Sequence, residues 1–404
     1  MSDPLDGLVD ALADALDVSH CSKLADRTVC DVALPVSDLR NRDHHQRILI
    51  DSGRSRKGWS RIGRALHCLQ LYAYSNVLDL ALGSREALLC GTLGHTGQAH
   101  LLRRWQEEQN GRDPDVFHEP EEAMEVWCDL HPEGKPYLEV MIGVHRRYMA
   151  VWPEPPGEIL LVEQEVSMVI GWRQDLSGPR WGLWVVTQES ADEVERLEKE
   201  RADLPIKRAE AAARDEDPNA IPGPVPPTAM QTPSGLVVEV TPLDAPGHRD
   251  HGWPIMLTRR IDAVWRERSR RVPIVDHKVT ASDTAAGRAA KYAPDGQFAS
   301  LRLIGAQLWP KDFSHVLLNL INREEPWRMT RHVVPATPWR DAQFAWQIYE
   351  IEHRIAQLEV RRVDPWYWPK AQGELSCWGR YGPCHGLDLC ALGPSAVRGR
   401  DDRD

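Results

Sequence analysis

Residues 260–278 read Arg260-Ile-Asp-Ala-Val-Trp-Arg-Glu-Arg-Ser-Arg-Arg-Val-Pro-Ile-Val-Asp-His-Lys278. Two runs rich in β-branched and apolar residues flank a charged stretch centred near Ser269, which predicts a β-hairpin. Asp262 and Asp276 are equidistant from Ser269, so a hairpin folded there sets them directly opposite each other. Directly opposed residues have Cβ atoms ~4.5–5.5 Å apart, and like charges at that separation repel. The pair is costly unless a cation lies between the carboxylates. Strand alternation also puts Asp276 and Lys278 on one face. The stretch therefore gathers two carboxylates and an ammonium.

Outward from the hairpin, strands and helices alternate. The segment from Ile159 to Ile170 reads as a strand, with Trp181 to Thr187 as its hairpin partner. Further strands are expected over 236–240 and 314–322, and the hairpin's own strands over 255–265 and 272–279. Apolar residues at spacings of three and four predict helices from Trp59 to Gln109, from Ala285 to Leu308 and from Pro338 to Arg361. Residues 112–157, rich in Pro, Gly and Trp, suggest short surface elements. Residues 190–234, a charged Ala-rich helix running into a Pro-rich connector, read as an insertion rather than core. The expected fold class is α/β, a mixed central sheet flanked by helices. Its segments would be an N-terminal extension (1–57), a helical region (58–157), a core (158–365) and a cysteine-bearing tail (366–404).

Two carboxylates and an ammonium suit metal-assisted phosphodiester hydrolysis. Hard oxygen ligands hold Mg²⁺ or Mn²⁺, and the lysine orients the nucleophile or offsets developing charge. The residues Ile261-Asp262 and Ile274-Val-Asp276-His-Lys278 resemble the PD-(D/E)XK nuclease signature. More narrowly, they are similar to the RecB-like and CRISPR-associated exonuclease branch. The resemblance implies a restriction-endonuclease-like fold and DNA exonuclease activity at ends or in single strands, with a role in recombination, repair or phage replication. It also implies further site residues. A histidine on an N-terminal helix matches His95 in Cys90-Gly-Thr-Leu-Gly-His95-Thr-Gly-Gln-Ala-His100. A strand glutamate matches Glu163 or Glu165, with Glu163 preferred. The glutamine of a Gln-x-x-x-Tyr motif matches Gln297, although the tyrosine position is Leu301. Arg260 stands where the family usually has glycine. The implied metal ligands are His95, Glu163, Asp262 and Asp276, with Lys278 and Gln297 completing the catalytic set.

Cys377, Cys384 and Cys390 form a compact cluster with spacing C-x6-C-x5-C. Gly and Pro between the thiols favour a loop that wraps an ion. In the resembled branch an upstream cysteine, here Cys68, joins three C-terminal cysteines around a [4Fe–4S] cluster. Four thiolates suit such a cluster and also suit structural Zn²⁺. Cys21, Cys30, Cys90 and Cys128 lack partners at metal spacing and read as ordinary buried thiols.

The 404 residues carry 60 acidic and 49 basic side chains, a net charge of −11 that argues against a general basic coat. DNA would need a local basic lining. Candidates are Arg54, Arg56, Lys57, Arg61 and Arg64, together with Arg266, Arg268, Arg270 and Arg271 at the hairpin turn. Only nine residues are Lys, which gives Lys278 added weight. No apolar run approaches the ~20 residues of a membrane span, and the acidic N-terminus does not look like a secretory signal, so a cytoplasmic protein is expected. The resemblance implies a recombination or replication protein as a partner. Two other functional classes fit part of the pattern: a DNA-binding or assembly protein with a degenerate nuclease core, and a Zn-stabilised interaction module.

Overall fold

The computed structural model describes residues 47–50, 58–78, 80, 85–175, 178–214, 216–281, 295–324, 328–336, 338–370, 378–379, 382–383 and 390. In chain order the helices are α1 (Trp59–His67), α2 (Leu69–Tyr72, continued as a π turn over Ala73–Val77), α3 (Arg85–Gln109), α4 (Pro120–Leu130), α5 (Lys135–Val151), α6 (Gln188–Ala213), α7 (Gly296–Leu308) and α8 (Pro338–Val360). The strands are β1 (Glu158–Asp175), β2 (Gly178–Val185), β3 (Ala229–Gln231), β4 (Val237–Val240), β5 (Met256–Arg266), β6 (Val272–Thr280), β7 (Phe313–Asn322) and β8 (Met329–Val334). A two-residue ladder joins β9 (Trp378–Gly379) to β10 (Gly382–Pro383). The protein is α/β with an open mixed sheet of order β3-β4-β1-β5-β6-β7-β8, and β2 also pairs with β1.

The chain divides into two compact units. Unit one comprises residues 1–54, 84–165 and 260–343; unit two comprises 55–83, 166–259 and 344–404.

In unit one, β5 and β6 pair antiparallel with Ala263 opposite Val275 and Val264 opposite Ile274. That is the predicted register, and its next step sets Asp262 against Asp276. Glu267 and Arg271 close the turn around Ser269 through the Glu267 N–H to Arg271 carbonyl bond. From β6 the chain crosses through α7 to β7, which pairs with β6 in parallel. A parallel neighbour requires such a crossover, and here the helix supplies it. The predicted helix over 285–308 is described from Gly296, where Asp295 caps it by accepting from Gln297 N–H; residues 285–294 of that prediction lie outside the described residues. Strand β8, which the sequence pattern did not single out, pairs antiparallel with β7.

The apolar residues of α3 bury two ways. Ala99 and Leu102 pack with Ile159, Val162, Ala263, Trp265 and Val275 of the sheet. Leu93 and Leu101 join Met124, Met141, Ile142 and Tyr148. The latter residues belong to α4 and α5, so 112–157 is not the set of short surface elements expected from its Pro and Gly content. Pro120 and Pro136 stand in the first turns of α4 and α5, where a missing N–H costs nothing.

In unit two, Val194 of α6 and Met230 of β3 are buried with Val169, Val186, Val238, Val240 and Met256. Residues 190–234 thus contribute an edge strand and core side chains. The C-terminal segment packs on α2: Trp368 stacks on Tyr72, Trp366 tilts over Tyr74, and Gln70 hydrogen-bonds the Pro365 and Pro369 carbonyls. Among the described residues, no helix is long and apolar enough to cross a membrane.

Two histidines buried in unit one are held neutral. The Nε2 of His100 accepts from the Ile50 N–H at 3.0 Å while Nδ1 donates to the His118 carbonyl at 3.1 Å, leaving no site for a second proton. Burial lowers both His100 and His145 to about 4. The unfolded chain takes up these protons near pH 6.5 and the folded chain only near 4, so their contribution is complete above about 6.5 and lost as pH falls. Denaturant titrations without metal should therefore show stability falling between pH 6.5 and 4, by up to about 3 kcal/mol per histidine. His145→Gln should flatten that dependence.

Candidate metal centre

All six predicted catalytic and metal-binding residues lie in unit one. His95 projects from the middle of α3, Glu163 from β1, Asp262 from β5, Asp276 and Lys278 from β6, and Gln297 from the first turn of α7.

His95, Glu163 and Asp262 converge, offering one ligand atom each with all three atoms within 4.8 Å of one another. The His95 Nδ1 lies 3.4 Å from Glu163 Oε1 and 3.7 Å from Asp262 Oδ2. Asp262 Oδ2 also accepts the backbone N–H of His277 at 2.7 Å. Across the hairpin, Asp276 is bound by the Lys278 ammonium at 2.8 Å and by the Gln297 side-chain amide. The structure thus separates the expected ligand set into a His-Glu-Asp group and an adjoining Asp-Lys-Gln group.

Two carboxylates ~4 Å apart repel by about 4 kcal/mol at an effective dielectric near 20. Burial disfavours a charged His95, but the charge of Asp262 and the hydrogen bond and charge of Glu163 outweigh it and raise the ring to about 9. Burial pushes the Glu163 carboxyl up, against the pull of His95 and Arg260. Without metal, the proton on His95 offsets one of the two carboxylate charges. A divalent cation in the same place would do so more fully. Two oxygen donors and an imidazole suit Mn²⁺ or Mg²⁺, so the residues fit the ion the sequence implied.

Glu163 adopts φ +48° within a strand. That left-handed conformation costs an ordinary residue about 1–2 kcal/mol and is found where surrounding contacts impose it. It also breaks the alternation of β1, so Glu163 and Glu165 do not present themselves alike. Glu163 reaches His95, and Glu165 takes no part in the group. The Val162 carbonyl, on the peptide just before Glu163, accepts from Arg103 of α3.

His277, between the two signature residues, is fully buried beneath the site. Its Nδ1 accepts from Asn319 at 2.7 Å, and Asn319 also bonds the Tyr148 hydroxyl. Burial, with His95 close by, lowers His277 to about 3, so it stays neutral. The sequence reading passed over His277, Asn319 and Arg103. For Arg103 a signal existed, since Arg103, Gln106 and Gln109 recur every third residue on the helix of His95.

Leu301, at the motif's tyrosine position, is buried in the core. Of the arginines expected along a DNA path, Arg61 is engaged within unit two by Glu352 and by Tyr72. Arg64 lies half-buried on α1, while Arg268 and Arg270 are exposed at the hairpin turn. Five strand residues separate that turn from Asp262, or roughly 17 Å at 3.3 Å per residue. The turn arginines therefore do not border the carboxylates. Arg54, Arg56 and Lys57 lie outside the described residues, as do Cys21, Cys30, Cys377 and Cys384. Cys90 and Cys128 are buried thiols, as expected. In unit two, the Tyr74 hydroxyl is buried, hydrogen-bonds Cys390 and feels the charge of Cys68, so both thiols lie beside one tyrosine.

No protein-family model matches the chain, and no curated protein is similar to it in sequence.

The glycine before His95 has a packing role. A Cβ on Gly94 would lie 2.4 Å from Val279 Cγ2 and 3.3 Å from Met141 Cε, so α3 approaches β6 closely only because no side chain intervenes. Gly94→Ala should cost about 1–3 kcal/mol in denaturant unfolding. By lifting His95 away from Asp262, it should also weaken Mn²⁺ binding in titration calorimetry.

Proposed function

We propose that this chain is a metal-dependent deoxyribonuclease of the PD-(D/E)XK type. It would hydrolyse phosphodiester bonds at DNA ends or in single strands, in recombination, repair or phage replication. The observation that carries this reading is the convergence of His95, Glu163 and Asp262 beside Asp276 and Lys278. These residues come from a helix, a strand and a hairpin well separated in the chain, and they appear in the order that the family resemblance implies. The mixed sheet with flanking helices is compatible with the restriction-endonuclease-like fold, and the RecB-like branch rests on the motif residues themselves. The protein would act in the cytoplasm, where its DNA substrate and a recombination or replication partner would be met.

His95, Glu163 and Asp262 would hold the ion, with Asp276 next to them. A bound Mg²⁺ or Mn²⁺ neutralises charge on the phosphate and lowers the pKa of water. Gln297 holds Asp276 in one orientation. The Lys278 ammonium, anchored to Asp276, stands ready to offset negative charge developing on the phosphate. His95 would give up its proton to let a cation take its place.

The tail cysteines support a second cofactor. Cys68 and Cys390, over three hundred positions apart, share Tyr74 as neighbour, and the 365–370 segment packs on α2. With Cys377 and Cys384 they would ligate a [4Fe–4S] cluster, with Zn²⁺ as the alternative for the same four thiolates.

End-labelled linear DNA should be degraded with Mg²⁺ or Mn²⁺ and left intact in chelator. Asp262→Asn, Asp276→Asn and Lys278→Ala should each lower the rate at least about a hundredfold. Variants that digest DNA like the wild type would end the assignment. Purified protein carrying the cluster should be brown, with visible absorbance that bleaches on reduction and is absent from Cys68→Ala.

A further inference from the structure

Helix α3 does more than carry His95. We propose that Arg103, Gln106 and Gln109 form a clamp that holds β1 in the conformation that makes Glu163 a metal ligand. The proposal rests on the metal-centre reading above and names positioning residues for it.

The three side chains recur at intervals of three, which places them along one face of the helix. Each grips the backbone of β1. Gln109 brackets its start, donating to the Gly157 carbonyl at 2.8 Å and accepting the Ile159 N–H at 2.8 Å. The Gln106 amide donates to the carbonyls of Ile159 at 3.2 Å and Leu160 at 3.0 Å. One guanidinium nitrogen of Arg103 donates to Gln106 Oε1 at 2.7 Å and another to the Val162 carbonyl at 3.0 Å.

The last bond is the decisive one. The Val162 carbonyl belongs to the peptide group joining residues 162 and 163, and φ of Glu163 is the rotation relative to that peptide plane. Returning Glu163 from φ +48° to an ordinary strand value would swing the carbonyl off the guanidinium. Arg103 thus opposes the relaxation that would carry the carboxylate away from His95. Its charge also interacts with that of Glu163. A planar fork suits the task, because it bonds Gln106 and Val162 at once from one rigid group. His95 and the clamp sit on a single helix, so the spacing between the two ligands is set by α3 itself.

Mn²⁺ affinity, measured by titration calorimetry or by the electron paramagnetic resonance of the free ion, tests the clamp. Arg103→Ala should weaken binding about tenfold to a hundredfold, the usual range for a group that orients a ligand. Arg103→Lys should recover part of the loss. In a Glu163→Ala background Arg103→Ala should change nothing further, because the ligand it positions is gone. Gln106→Leu, which fills similar space while removing two carbonyl bonds, should follow the same pattern and guards against a poorly folded Arg103 variant. Equal losses with and without Glu163, or no loss at all, would overturn the clamp. Mn²⁺ binding that depends on Arg103 in a protein that cuts no DNA would keep the clamp and remove the nuclease reading. DNA cleavage with Mn²⁺ affinity indifferent to Arg103 would do the reverse, and a wild-type chain that binds no Mn²⁺ would remove both.

Discussion

Carboxylates taken out of water repel one another and lose their hydration, and unit one buries Glu163, Asp262 and Asp276 together. Most of its local architecture answers that cost. Asp276 is met by an ammonium and an amide, Asp262 by a backbone N–H, and Glu163 with Asp262 by the His95 ring. The answer is least complete at the His-Glu-Asp group, where one proton on an imidazole stands between two carboxylates. A structure optimised for stability alone would replace such a group with apolar side chains of similar size. Retaining it makes sense if a cation is to be bound there, since the repulsion felt in its absence adds to the affinity in its presence.

The fold delivers these side chains by ordinary means. A hairpin opposes two aspartates through its register. A parallel crossover returns the chain past β6 and sets the start of α7, with Gln297, against Asp276. A long helix lies close on the sheet because Gly94 leaves room for Val279. Each of these devices is local, yet together they bring four separate segments to one place. Beneath them, His277, Asn319 and Tyr148 form a layer of neutral hydrogen-bonded groups, with the Arg331 guanidinium donating to the Tyr148 hydroxyl.

The hairpin was legible from the sequence because its register follows from counting: the positions of Asp262 and Asp276 sum to the same value as Ala263 with Val275, and strand pairing preserves that sum. His95 and Gln297 were legible as residues of particular types in a particular order. Glu163 was only narrowly preferred to Glu165, because alternation treats residues two apart as equivalent and a positive φ at one of them destroys that equivalence. The helices over 120–151 were obscured by prolines that mark helix starts as readily as breaks. Strand β8 was missed because Met329-Thr-Arg-His-Val-Val334 shows no clean alternation, and its burial alternates no better. The turn arginines looked close to the aspartates in sequence, but five residues of extended chain carry charge far from the site.

Glu163 joins these observations into one mechanical argument. A strand residue in a left-handed conformation persists only if something else in the fold pays more to keep it there, and the candidates are its ion pair with His95 and the grip of Arg103 on the preceding peptide. The ion pair alone is a weak restraint, since His95 titrates and its ring is shared between Glu163 and Asp262. The guanidinium bond does not depend on protonation and reaches the backbone directly. On the proposed reading, the ligand geometry would survive the exchange of the His95 proton for a cation, and the site would be shaped before the ion arrives. Preformed geometry of this kind lowers the reorganisation needed on binding, which is where a centre made from four dispersed segments would otherwise lose most of its affinity.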